Sequence, residues 1–143
     1  MISSGEAKWN VRNGLVLNLP HGYDGQGPEH SNARLDRFLQ MCDENDQVPT
    51  EEDKNSDRMQ RVNMQIVNCT TSANFFHVLR RQIRRPFRKP LVIMFSKRLL
   101  RMKEATSEIE DFKEGLRFKR VIIDKNQDQV ADDKVKRIIL CSG

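Results

Sequence analysis

One tryptophan and one tyrosine among 143 residues, with aromatics at 6% overall, leave this chain poor in the side chains that dominate large cores and interfaces. Cysteine is scarce too. Cys42, Cys69 and Cys141 are widely spaced, odd in number and in no C-x-x-C pair, which argues against a disulfide framework or a zinc ribbon and for a reducing compartment. No apolar run approaches the roughly 18 residues of a membrane span, and the opening MISSGEAKW lacks the charged-then-apolar layout of a secretory signal. The G-x-x-x-x-G-K-[ST] phosphate loop is missing, and no internal repeat is present.

What the chain does have is charge. Charged residues make up 31% of it, and its large apolar residues fall in a few short runs, so the material for a self-sufficient core is thin. The net charge of +5 is unevenly placed. Asp43 to Asp57 is strongly acidic, whereas Arg80 to Lys103 holds ten basic residues and no acidic one. That layout predicts one negative and one positive surface.

Three apolar runs read as buried strands: Gly14–Leu19 (GLVLNL), Met64–Cys69 (MQIVNC) and Pro90–Phe95 (PLVIMF). Between them lie helix-spaced segments. Ser31 or Asn32 can cap a helix carrying Leu35, Phe38, Leu39 and Cys42, and Thr70, Thr71 or Ser72 can cap one over 73–83, with Phe76, Leu79 and Ile83 on one face and Pro86 beyond its end. Strands alternating with helices predict an α/β fold with a mostly parallel, doubly wound sheet. A short helix over 105–112 and two more strands, 118–123 and 135–141, are expected to follow, the last one cut off where the sequence stops.

The loop after the first strand, HGYDGQGPEH, is the chemical candidate. In an open parallel sheet ligands sit beyond the carboxyl ends of the strands, and this loop leaves such an end with His21, Asp24, Glu29, His30 and three glycines. Glycine lets backbone approach a ligand, and histidine exchanges protons near neutral pH. Two blander readings stand beside this one. The glycines can simply turn the chain while both histidines bond to backbone, or the four polar residues can hold a metal, although their spacing matches no standard ligand pattern.

The run LPHGYDGQGPEHSNARLDRFLQMC resembles a segment of the first, decarboxylating component of the 2-oxoglutarate dehydrogenase complex, closest in flavour to plant mitochondrial members. ISSGEAKW, NFFHVLRRQ, FRKPLVIM, LLR and VKRIILCSG recur in the same order, so the resemblance covers nearly the whole chain. It implies part of a transketolase-like pyrimidine-binding domain over 1–100, then the start of the family's C-terminal domain over 101–143. It further implies thiamine diphosphate as cofactor, 2-oxoglutarate as substrate, a lipoyl-bearing succinyltransferase component as partner, a homodimer at full length, and the mitochondrial matrix as location. In related enzymes the GPxH histidine faces substrate and cofactor, which assigns His30 first, His21 second, and Asp24 and Glu29 as supports of loop shape.

The sequence also departs from the family. The GDG motif for the diphosphate and magnesium is absent, and the activating glutamate belongs upstream of ISSGEAKW, so this chain is expected to be a fragment that is inactive alone. Ser72 and Ser96 stand where the family usually has proline, and Met64 where it usually has tryptophan, which suggests relaxed constraint. The basic segment around Arg80, Arg81, Arg84 and Arg85 supports another class of function, a non-catalytic module that binds nucleic acid or an acidic protein. Phe87 and Phe95 are its only interleaved aromatics, a poor stacking platform, so nucleic acid is the weaker choice. His77, between Phe76 and Val78, reads as a packed, hydrogen-bonded core residue, and Trp9 as a packing residue. Asp43 to Asp57 has too little apolar content to offset the entropy of ordering. Its amides should therefore exchange with solvent far faster than those of 14–19, and equal protection in a hydrogen-exchange experiment would contradict that expectation.

Overall fold

A computed structural model describes residues 2–25, 27, 29–30, 33–44, 60–123 and 131–140. Three short strands carry the fold: β1 (Val16–Pro20), β2 (Gln65–Asn68) and β3 (Leu91–Phe95). They are all parallel, in the order β1-β3-β2. The last strand in sequence is therefore the central one, pairing Val16 with Leu91 on one side and Gln65 with Leu91 on the other. Hydrogen bonds from Leu91 N–H to Leu15 O and from Gln65 N–H to Pro90 O, at 2.8 and 2.9 Å, set that register.

A central parallel strand is buried on both faces, which is why β3 is an unbroken apolar run. Leu91, Val92, Ile93 and Met94 are all fully buried, and their side chains alternate between two clusters. Leu91 and Ile93 meet Cys69, Val78, Phe75 and Leu79, whereas Val92 and Met94 meet Met64, Leu17, Leu19, Leu35 and Phe38. The helices α2 (Leu35–Met41) and α3 (Ser72–Arg84) thus cover opposite faces, as expected of a doubly wound sheet. A further short helix, α1 (Gly5–Trp9), ends at Asn10 in the left-handed conformation. Glu6 on α1 pairs with the buried Lys89 ammonium and with Arg12. Trp9 is 64% exposed beneath the Lys8 ammonium, so the packing role expected of it is not observed.

Thr71 caps α3, its hydroxyl accepting from the Asn74 N–H at 3.3 Å, and Arg84 is the last helical residue before the Arg85-Pro86 pair, where the pre-proline position resists helical geometry. The buried face of α3 is not the expected one. Ala73, Asn74, His77, Val78 and Gln82 turn inward, while Phe76 is 42% and Ile83 73% exposed; of the expected trio only Leu79 packs on the core. The reason is polar. Asn74, His77 and Gln82 each have a main-chain partner to satisfy, and burying three such groups rotates the helix away from its most apolar stripe. Helix α2 begins at Leu35 with Arg34 in the cap position and no side-chain cap; Ser31 and Asn32, the expected caps, lie outside the described residues.

The same polar face of α3 explains two other departures. Ser72 Oγ donates to Ala105 O, Ser107 Oγ accepts from Ala73 N–H, His77 Nε2 lies 2.7 Å from Asp111 O, and Arg80 donates to Leu116 O. Asn74 clamps Lys119 at both ends, donating to its carbonyl at 3.0 Å and accepting its N–H at 2.8 Å. Chain 105–119 is thereby laid along the helix. Where a short helix over 105–112 is expected, 3-10 turns form instead at Lys103–Ala105 and Ile109–Phe112. No strand forms over 118–123, because Lys119 gives its main-chain groups to a side chain and not to a ladder. None forms over 135–140 either, where Ile138, Ile139 and Leu140 are more than three-quarters exposed. His77 is buried and hydrogen-bonded, in keeping with the sequence reading.

The acidic stretch enters from Asp43, whose N–H and carboxylate exchange two hydrogen bonds with Asn63, at 3.1 and 2.7 Å; residues 45–57 of that stretch lie outside the described residues. Asn63 also donates to Met41 O and Ser3 O, at 2.7 and 3.0 Å, closing the base of the excursion.

Two predictions follow from this packing. Asn74→Ala removes both bonds to Lys119 and should cost about 1–3 kcal/mol of stability. In hydrogen exchange the loss of protection should centre on 105–119, and a uniform loss would show that the clamp is not local. Burial pushes the Cys69 thiol up from 9.0 to about 11, against the opposing charge of Arg81. Between those values the unfolded chain releases its proton first, so folding stability falls as pH rises from about 9 to 11, by about 2 kcal/mol at the upper end. Cys69→Ala should abolish that alkaline component in a denaturation series; an unchanged alkaline slope would locate it elsewhere.

Candidate functional site

Three parallel strands end on one side of the sheet, at Pro20, Asn68 and Phe95, so three connections gather there. The histidine loop leaves β1 without leaving the sheet. His21 N–H donates to Phe95 O at 3.1 Å, and Ala33 returns to pair with His21, its N–H donating to Pro20 O at 3.0 Å. Entry and exit of the loop, at His21 and Ala33, are thus fastened at one point of the carboxyl edge.

The turn after β3 supports it from beneath. Ser96 is buried and its hydroxyl accepts from the Arg98 N–H, capping a 3-10 turn over Lys97–Leu100. The Lys97 ammonium donates to His30 O. Gly25 has φ +80°, and a Cβ there would sit 3.4 Å from Arg98 Cβ; the site favours glycine for its backbone conformation more than for space. His30 N–H donates to Gly27 O at 3.0 Å, completing a small turn.

The two candidate histidines occupy different environments. The His21 side chain is 4% exposed. Its Nδ1 accepts from Tyr23 N–H at 3.3 Å and lies 3.6 Å from Asp24 Oδ1, and its ring tilts against that of Tyr23. The His30 side chain is 63% exposed, its Nε2 3.6 Å from Glu29 Oε1. One histidine is at the base of the loop and the other presents its ring at the rim. Asp24 and Glu29 each sit beside a histidine, yet among the described residues no three His, Cys, Asp or Glu side chains come together as metal ligands.

At the carboxyl edge lies a cavity of about 190 Å³, lined by Asn18 from β1, Cys69 to Ser72 from the end of β2 and the start of α3, Phe75, Phe95 and Ser96, and by Leu99, Leu100 and Ala105. Its volume suits one small ring system more than a drug-sized ligand, for which pockets run to roughly 300–1,000 Å³. Aromatic and aliphatic walls carry a few polar groups, Asn18 and the threonine and serine hydroxyls. The thiol of Cys69, held protonated by burial, adds no nucleophile at neutral pH. Sequence reading missed these residues. The rule that singled out the histidine loop, position at a strand's carboxyl end, applies equally to 69–71 and 95–96, which lack glycines and histidines to draw attention.

The basic segment does not form one continuous surface. Arg81 lays its guanidinium 4.3 Å over the Phe118 ring and donates to Gln65 Oε1 at 3.2 Å. Burial, followed by the charges of Arg85 and Arg120, pushes it down to about 10. Arg85 is lowered by burial and then by Arg120, and stacks 5.1 Å from the Phe87 ring. Both belong to a corner beside the outer edge of β2, where a cavity of about 460 Å³ opens between Gln65, Asn74, Arg81, Phe118 and Arg120. Arg84, Arg88, Arg98 and Arg101 remain exposed. Among the described residues no helix is long and apolar enough to cross a membrane.

With this geometry in hand, likeness to known proteins can be placed on it. Residues 1–103 match the family model described as transketolase, pyrimidine binding domain, and residues 106–143 match that of the 2-oxoglutarate dehydrogenase C-terminal region. Among relatives, the chain is 46% identical over 147 residues to a mitochondrial 2-oxoglutarate dehydrogenase of Caenorhabditis elegans. It is 49% identical over 144 residues to that of Saccharomyces cerevisiae, and 51% identical over 142 residues to a 2-oxoadipate dehydrogenase complex component E1 of Xenopus laevis. Each alignment covers 99% of this chain but only 14% of the relative. A three-stranded parallel sheet covered on both faces, with loops and a cavity at its carboxyl edge, agrees with the first of those models, and the chain belongs to the transketolase pyrimidine-binding domain family, in its 2-oxoglutarate dehydrogenase branch.

Proposed function

We propose that this chain serves as part of the decarboxylating, thiamine-diphosphate-dependent first component of 2-oxoglutarate dehydrogenase, and that it is inactive in isolation. Identity of 44–49% to relatives named 2-oxoglutarate dehydrogenase, across essentially the whole chain, carries the reading, and the carboxyl-edge arrangement supports it. The cavity between Asn18, Thr70, Phe75 and Phe95 fits one face of the cofactor's pyrimidine ring in size and lining. When bound, thiamine diphosphate supplies the electron sink that lets a 2-oxo acid lose its carboxylate. The chain contains no GDG motif, so the diphosphate and its magnesium are assigned to other parts of the assembled protein.

In this reading His30 is the first catalytic choice. Its ring is exposed at the rim of the loop and its main chain is held at two points, by Gly27 and Lys97. A ring so placed can donate to negative charge developing at the substrate's 2-oxo oxygen and later move a proton. His21, buried at the base, is the second. The division into a pyrimidine-binding part to residue 100 and a C-terminal part from 101 belongs to the same proposal. So do 2-oxoglutarate as substrate, succinyl transfer to a lipoyl-bearing partner, a homodimer and the mitochondrial matrix. A relative named for 2-oxoadipate makes the one-carbon-longer acid the natural competitor. The alternative module built on the basic segment is weakened by the inward placement of Arg81 and Arg85.

Purified chain should not decarboxylate 2-oxoglutarate with thiamine diphosphate and magnesium present; turnover would sink the fragment reading. Substituted for the matching segment of a complete relative, it should support decarboxylation. In that chimera His30→Ala should lower turnover by about 10²–10⁴-fold, the span typical of acid–base or oxyanion groups, with little change in cofactor affinity. A variant that keeps its turnover but loses thermal stability would make His30 a structural residue.

A further inference from the structure

The His30 ring has no firm anchor of its own. Its side chain is 63% exposed, and its ion-pair neighbour, Glu29 Oε1 at 3.6 Å, belongs to a side chain that is 66% exposed. A surface pair of this kind holds neither member in place. Where the ring stands therefore depends on the main chain that carries it.

Two hydrogen bonds fix that main chain, and they differ in kind. His30 N–H donates to Gly27 O at 3.0 Å, a bond inside the loop that travels with it. His30 O accepts from the ammonium of Lys97, 67 residues further along the chain. The loop's two ends are pinned at His21 and Ala33, and Gly25 lies over Arg98. Among the described residues the Lys97 bond is the one hydrogen bond that ties the far part of the loop, 27–30, to the rest of the fold.

Lys97 is well founded at its other end. It follows β3 through Ser96, which is 2% exposed. The Ser96 hydroxyl accepts from Arg98 N–H and the Ser96 carbonyl from Leu99 N–H, both at 3.2 Å. The lysine stem thus starts from the end of the central strand, whose first four side chains are fully buried. A bond from a charged donor is about twice as strong as a neutral one and holds a defined length, so it carries the position of the strand end to the His30 carbonyl. The bond lies at the surface, where water satisfies a carbonyl equally well. What water does not supply is a fixed place.

We propose that Lys97 is a positioning residue for His30, acting through the His30 carbonyl to hold the ring where it can meet charge developing on the substrate. This rests on the reading of His30 as the catalytic group. A misplacement of about an ångström is enough to cost on the order of 10²-fold in rate.

The first measurement uses the unmodified chain. Nuclear magnetic resonance should detect a through-hydrogen-bond coupling between Lys97 Nζ and the His30 carbonyl carbon; a freely rotating ammonium with no such coupling overturns the proposal. The second uses the chimera that carries this segment within a complete relative. Lys97→Met keeps an aliphatic stem and loses the donor, and it should lower kcat by about 10–10²-fold with cofactor affinity unchanged. Added to His30→Ala, the same substitution should cost less than about twofold, because a group that acts only through the ring has nothing left to place. Equal losses in the two backgrounds overturn the positioning role and leave His30 standing. Full turnover in His30→Ala alone overturns the reading of His30, and this proposal falls with it. The coupling needs no variant, so it decides the matter even if Lys97→Met fails to fold.

Discussion

Main-chain pairing through Leu91–Phe95 is the interaction on which the other elements depend. β1 and β2 do not pair with each other; among the described residues each takes its strand partner from β3, one along either edge. Four consecutive side chains of β3 are fully buried, and at roughly 1.5–3 kcal/mol for each large apolar group they are the chief apolar contribution in a chain with few large residues to bury. Their alternation assigns α3 to one face and α2 to the other. It also brings three strand ends to one edge, and everything of chemical interest here stands on that edge.

A second constraint comes from polar side chains that act as surrogate secondary structure. Asn74, His77 and Arg80, successive on α3, bind the main chain of 111–119 where a strand or helix would otherwise satisfy it. Ser96 plays a similar part at the other end of β3, capping the turn that holds His30 O through Lys97. Two of the departures from the family pattern, Ser72 and Ser96, are thus employed in hydrogen bonds, and a third, Met64, is fully buried in the core. Their employment offers a physical alternative to relaxed constraint.

The parallel sheet was legible because continuous apolar runs of five or six residues, separated by helical periods and punctuated by Pro20 and Pro86, leave few other solutions. Strands at 65–68 and 91–95 lie within the segments that pattern marks, and the strand at 16–20 runs one residue past its segment, to Pro20. The same pattern failed at 118–123 and 135–140, since an apolar run says nothing about whether a pairing partner exists. It failed on α3 because a hydrophobic stripe takes no account of buried asparagine, histidine and glutamine with main-chain partners of their own. The site was half legible. Glycines and histidines advertise the loop, but that His21 is enclosed and His30 exposed depends on the pairing of Ala33 beside His21, a contact across twelve residues that local pattern does not contain. Thr70, Phe75 and Phe95 carry no chemical flag at all.

The strand order has a consequence for how this segment is made. Because the middle strand comes last, nothing in the sheet can assemble as the chain emerges from the ribosome until residue 95 is free. By then the two earlier apolar strands have been waiting without partners. Such late, long-range closure is slow and leaves unpaired strand edges exposed to other chains. Any nascent or truncated product ending before Leu91 would lack the one element able to join the other two, and should depend on chaperones for its solubility.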